Sequence, residues 1–220
     1  MMIFPGAQGE LLQYYASGDM TGDFRNNSVS YAAIALTGLT KEEQSTLLKL
    51  ARQTIQSYLK DRKKPKVNPD ELPASLKCKR GVFVTLKINH HLRGCIGRIF
   101  DPYVLYQSVI DYAIASAVND HRFSPMTSAE EPKVNIEISV LSPLVKVKGY
   151  EDIVIGKHGV YIVKGGANAV FLPQVALEQG WDRETTLEQL SIKAGLDKSA
   201  WQDKDMDFYV FTAQVFSEKE

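Results

Sequence analysis

The run from Gly81 to Phe100 limits most strongly what this chain can fold into, because period-two alternation there is interrupted by a pair of glycines. Val82, Val84, Leu86 and Ile88 share one face, and Phe83, Thr85 and Lys87 share the other. That is the pattern of a strand with one side turned to a core. Asn89-His90-His91 reads as a turn and Leu92 to Phe100 as the returning strand, with Gly94 and Gly97 flanking Cys95-Ile96. A glycine inside a strand marks a bulge or a close backbone approach. The segment therefore predicts a β-hairpin whose second strand meets another element at short range.

The remaining patterns mix helices and strands. Thr40 with Glu43 three residues on forms a capping box, and Leu47, Leu48, Ala51, Ile55, Tyr58 and Leu59 recur at helical spacing, predicting a helix over 40–60. Lys60 to Lys64 with Pro65 and Pro69 ends it. Asp101 as cap and Pro102 as first residue open a second helix running to about Asn119. Val134, Ile136, Ile138 and Val140 alternate as a half-buried strand stopped by Pro143. Three short strands are expected at Ile153–Ile155, Val160–Val163 and Val170–Leu172, then a helix after Pro173, another from about Glu184 to Ala194 ended by Gly195, and a final strand from Phe208 to Phe216. Without strict alternation of strand and helix, the fold class is α+β: a largely antiparallel sheet, or sheets, flanked by helices, with room for two subdomains.

Charge and composition exclude some roles. Lys plus Arg and Asp plus Glu both number 26, so no net positive field gathers a phosphate backbone, and nucleic-acid binding is disfavoured. The basic run Lys60 to Lys64 reads as a solvated helix end. No run approaches the ~20 apolar residues of a membrane span, and the start lacks a basic-then-apolar signal, so a cytoplasmic protein without membrane contact is expected. Two cysteines, Cys78 and Cys95, are too few for a four-ligand zinc cluster. No metal and no cofactor are predicted.

For chemistry, Cys95 is the candidate nucleophile. Glycine neighbours leave little bulk around its sulfur, Arg93 and Arg98 would favour the thiolate, and His91, His121 and His158 lie on expected loops, with His121 the candidate base. The competing reading is packing, since free cysteine is among the most buried residue types and the glycines then admit a close neighbour. Asp120-His121-Arg122-Phe123 gathers an acid, an imidazole and a guanidinium. Arg122 there either grips a carboxylate or phosphate or closes an ion pair pinning the helix end to the sheet. Arg93, Arg122, Gly94 and Gly97 are the candidate binding residues.

Leu92-Arg93-Gly94-Cys95-Ile96-Gly97 is followed in order by Arg122-Phe123-Ser124-Pro125, Glu137 to Pro143, His158-Gly159, Phe171 to Val175, and Lys193 to Leu196 with Trp201. This set resembles the AMMECR family, of the AmmeMemoRadiSam system protein A type, from about Gly81 to Phe216. His121 stands where a proline often precedes the Arg-Phe pair. Tyr15 to Asp23 with Ser28 to Ala33 resembles the carboxy-terminal end of a Memo-type domain, with Thr21 about where a cysteine of that family falls. The resemblance implies residues 1–36 as a Memo-like remnant or an extension, ahead of an AMMECR domain over 40–216. It also implies Memo-type and radical-SAM proteins as partners and an unnamed small-molecule ligand. The family's activity is unsettled, so two readings stand: an enzyme or enzyme component using Cys95 in a groove lined by Arg93, Arg122 and His121, or a non-catalytic binding or scaffold module.

Overall fold

The computed structural model describes residues 9–16, 30–36 and 38–218, with side chains from residue 38 onward. The chain divides into two compact units, Met1–Thr46 and Leu47–Glu220. In the first, strands β1 (Gly9–Ala16) and β2 (Ser30–Leu36) pair antiparallel, Gly9 opposite Leu36 and Ala16 opposite Ser30, with a register irregularity between Leu11 and Gln13. Residues 17–29, which include Thr21 and much of the Memo-like segment, lie outside the described residues. Helix α1 (Lys41–Asp61) starts on the expected capping box: the Thr40 N–H donates to Glu43 Oε2 at 2.7 Å and the Glu43 N–H to Thr40 Oγ1 at 3.3 Å.

The second unit contains two four-stranded sheets, antiparallel throughout. The first has the order β10-β5-β3-β4, made of β3 (Val82–Ile88), β4 (His91–Arg98), β5 (Asn135–Leu141) and β10 (Ala213–Ser217). The second has the order β6-β9-β7-β8, made of β6 (Val145–Lys146), β7 (Gly159–Lys164), β8 (Ala167–Phe171) and β9 (Asp207–Phe211). Val82, Val84 and Leu86 share a face with Ile136, Ile138 and Val140 across the β3–β5 ladder, and all six are buried. Helix α2 (Leu105–Val118) packs on β3 and β4, burying Leu105, Val109, Ala113 and Ala117. Each large aliphatic side chain sealed there contributes about 1.5–3 kcal/mol of hydrophobic free energy. The second sheet gathers Val160, Ile162, Phe208 and Val210 with Leu187 and Leu190 of α4 (Arg183–Lys193) and Trp201. Helix α3 (Pro173–Gln179) opens at proline and ends at Gly180 in the left-handed region, φ 67°. Among the described residues no helix is long and apolar enough to cross a membrane.

Several elements differ from the sequence expectation. Helix α2 begins at Leu105, not Pro102, because the Asp101 carboxylate is engaged just before it by the Tyr103 N–H and the Tyr112 hydroxyl. Ile153–Ile155 is not a strand. The Ile153 N–H closes a 3-10 turn on Tyr150, and the Lys157 and His158 N–H groups both return to the Val154 carbonyl, so the segment folds on itself. The expected single strand from Phe208 to Phe216 is two strands, split at Thr212, that belong to different sheets.

Candidate functional site

Close packing explains both glycines of the signature hexapeptide. A Cβ added at Gly94 would stand 2.0 Å from the Ser116 carbonyl oxygen of α2, and one at Gly97 would stand 2.3 Å from the Val82 carbonyl oxygen. Because Gly94 has no side chain, Ser116 reaches into the hairpin. Its buried hydroxyl accepts the Ile96 N–H at 2.9 Å and donates to the Val84 carbonyl at 2.7 Å, bridging β3 and β4.

Cys95 sits opposite Thr85 in the ladder, on the face turned away from the apolar residues that α2 covers. Its half-buried sulfur lies 3.2 Å from Thr85 Oγ1. Its backbone is held from both sides: the N–H donates to Asp120 Oδ2 at 2.8 Å, and the carbonyl accepts from Arg122 Nη2 at 3.1 Å. Buried Asp120 also takes Arg122 Nη2 at 2.7 Å, Arg122 Nε at 2.9 Å and the Arg122 N–H at 3.2 Å. These bonds to Arg122, backed by the Cys95 N–H, hold the Asp120 carboxyl well below the usual carboxylate range and push the Arg122 guanidinium up. Arg93 is spent in the same way: it pairs with Glu130 at 2.8 Å, donates to the Ser124 carbonyl at 3.0 Å and faces the Phe123 ring. The 120–130 loop is thereby strapped along β4, an edge strand of its sheet.

The thiol therefore differs from the activated one expected. Burial pushes it up, and the Asp120 and Glu137 charges add to that; the Thr85 contact and Arg122 pull the other way without reversing the outcome. Arg98 is exposed at the strand end, and neither it nor Arg93 is among the main groups that set the thiol. His121 is exposed and, among the described residues, its side chain has no hydrogen-bond partner. The His158 Nδ1 accepts the Val154 N–H at 3.1 Å within a turn near the second sheet. The fold thus brings Cys95, Asp120, Arg122 and Arg93 into one network and leaves the imidazoles out of it. Three members had no place in the sequence reading: Thr85, Ser116 and Glu130. Thr85 comes opposite Cys95 only because the ladder steps by one residue at Arg93, from the Lys87–Leu92 pair to the Leu86–Gly94 pair, and no local signal marks the other two.

Glu130 provides a pH test. Arg93 and the Thr127 N–H pull its carboxyl down to about 2. A depressed carboxylate stabilises the fold fully above its unfolded value of ~4.3, and that contribution is lost as pH falls toward 2. Glu130→Gln is expected to cost about 1 kcal/mol at neutral pH, a modest figure because the side chain is 31% exposed. It should also flatten the fall in urea midpoint between pH 4.5 and 2, as read by urea titration at stepped pH.

Comparison with known proteins gives a consistent picture. The profile of the AMMECR1 family matches residues 48–216. A protein of Methanopyrus kandleri is 42% identical over 191 residues, covering 83% of this chain and 91% of that one. A protein of Methanothermobacter thermautotrophicus is 38% identical, covering 82% and 96% respectively. The crystal structure of protein PH0010 from Pyrococcus horikoshii superposes with a TM-score of 0.77 at 38% identity, covering 82% of this chain and 94% of that chain.

Proposed function

Since the chain belongs to the AMMECR1 family, we propose that it works as a non-catalytic recognition module, with the Leu92–Gly97 segment and the loop strapped to it as a rigid docking ledge. One observation carries this reading: the Cys95 backbone is anchored on both sides by Asp120 and Arg122. That arrangement fixes the position of a strand. It does not prepare a sulfur for attack, and burial pushes the thiol up. The groups left facing outward are those of a contact surface. Leu92 is 42% exposed, the Arg122 side chain 47% exposed, and His121 is exposed beside them.

The partners we assign are cytoplasmic Memo-type and radical-SAM proteins of the AmmeMemoRadiSam kind. Residues 1–36 would be the Memo-like end joined ahead of a family domain over 40–216. The competing enzyme reading, with Cys95 as nucleophile and His121 as base, needs an ionisable thiol with an imidazole in reach. Tagged pull-downs with the two partner types and alkylation of the native protein separate the readings. Cys95→Ser should keep partner capture, whereas Leu92→Asp and Arg122→Glu should abolish it. Exposed Cys78 should alkylate at neutral pH at least tenfold faster than Cys95. Faster labelling at Cys95, or loss of capture in a well-folded Cys95→Ser protein, would favour the enzyme.

A further inference from the structure

At the turn end of the first sheet, beyond the docking ledge, lies a groove of about 460 Å³ whose lining side chains are all polar. Its floor is set by register. Lys87 stands opposite Asn135, and Glu137 opposite Ser217, on the face that also carries Thr85 and Cys95. One wall is the hairpin turn, where Asn89 and His90 both adopt left-handed backbone, φ 50° and 66°. Lys133 supplies the other wall. Lys87 and Glu137 satisfy one another at 2.8 Å, both mostly buried. Among the described residues neither Lys133 nor His90 has a carboxylate partner. The groove therefore carries an unbalanced ammonium, an imidazole and amide groups on one side, and a fixed carboxylate on the other.

We propose that this groove binds a small organic oxyanion, a phosphate or carboxylate, that also carries hydroxyl groups. The oxyanion would sit against Lys133, His90 and the turn amide of Asn89, where charge-assisted hydrogen bonds are strongest. A hydroxyl would reach the Glu137 carboxylate, which accepts hydrogen bonds and repels a bare anion. The turn supports the assignment independently. A two-residue hairpin turn with both residues left-handed strongly favours Asn-Gly, and a histidine in the second place carries a backbone strain that glycine would remove. Strain kept at a groove wall is accounted for when the side chain contacts a ligand.

The test uses the full chain and calorimetric titration, with glycerol 3-phosphate, glycerate and inorganic phosphate as probes and sodium chloride at matched ionic strength as the control. Saturable binding of glycerol 3-phosphate or glycerate, tighter than phosphate, is expected, and whichever of the two binds identifies the anion as phosphoryl or carboxyl. His90→Gly should weaken that binding at least tenfold while leaving the melting temperature unchanged or higher, a split that a purely structural histidine would not produce. Lys133→Ala should weaken binding similarly, and Glu137→Gln should erase the preference over inorganic phosphate. Absence of saturable binding by all three probes, or binding that survives both His90→Gly and Lys133→Ala, overturns the proposal. Neither result bears on partner capture by the ledge.

Discussion

Gly94→Ala is expected to lower stability by about 3 kcal/mol or more. The added Cβ would stand 2.0 Å from the Ser116 carbonyl oxygen and 3.1 Å from its carbonyl carbon, both backbone atoms that no rotamer change moves aside. Relief requires α2 to lift from β4. Lifting withdraws the Ser116 hydroxyl from the Ile96 N–H and the Val84 carbonyl, so the clash is compounded by two buried polar groups left without their partner. Against a total of about 5–15 kcal/mol for a domain, such a loss leaves little margin. Urea unfolding followed by near-ultraviolet circular dichroism measures it, and a midpoint equal to that of the parent would show that α2 is not seated as described.

Asp120→Asn should produce two effects of opposite kind. The carboxylate is buried and accepts from the Cys95 N–H and three groups of Arg122. An amide there turns an NH₂ toward at least one of those donors. The expected cost is about 2–3 kcal/mol, held below the figure for a fully buried pair because Arg122 reaches solvent. The contribution is present above the unfolded aspartate value of ~3.9 and fades as pH falls below it, so the deficit should shrink in acid. At the same time Cys95 should become more reactive: Asp120 pushes the thiol up and Arg122 pulls it down, and the substitution removes only the first. In native protein the pH profile of Cys95 alkylation should move to lower pH. An unmoved profile would mean that Asp120 acts on the backbone alone.

Much of the architecture was legible because it is written in local periodicity. The β3–β4 hairpin shows itself by the alternation of Val82 to Ile88 and the turn that follows it, and Thr40 with Glu43 announces α1. The break at Thr212 is hard to see in the same terms, because apolar residues recur on both sides of it from Phe208 to Phe216 while the chain changes sheets. The site was legible as a set of residues and not as an environment. Cys95, Arg93 and Arg122 announce themselves by type and position. The direction in which the thiol moves depends first on its burial in the fold, and then on the balance of Thr85 and Arg122 against Asp120 and Glu137, brought near it by pairing between strands and by the loop after α2. Reading Arg93 as an activator failed for a similar reason, since Glu130, 37 positions along the chain, claims it.

The change of sheets at Thr212 also bears on how the molecule is assembled. Strand β10 completes the first sheet beside β5, yet it follows every strand of the second sheet in chain order. The Thr212 N–H donates to Ser142 Oγ and the Ser142 N–H to the Thr212 carbonyl, both at 2.9 Å, so outgoing and returning passages are stitched at one point. The second sheet is in effect an insert carried within the first. During synthesis β3, β4 and β5 would emerge early and wait with one flank unpaired until the insert had been made. Such long-range closure slows folding and leaves that flank open to unwanted pairing in the interval.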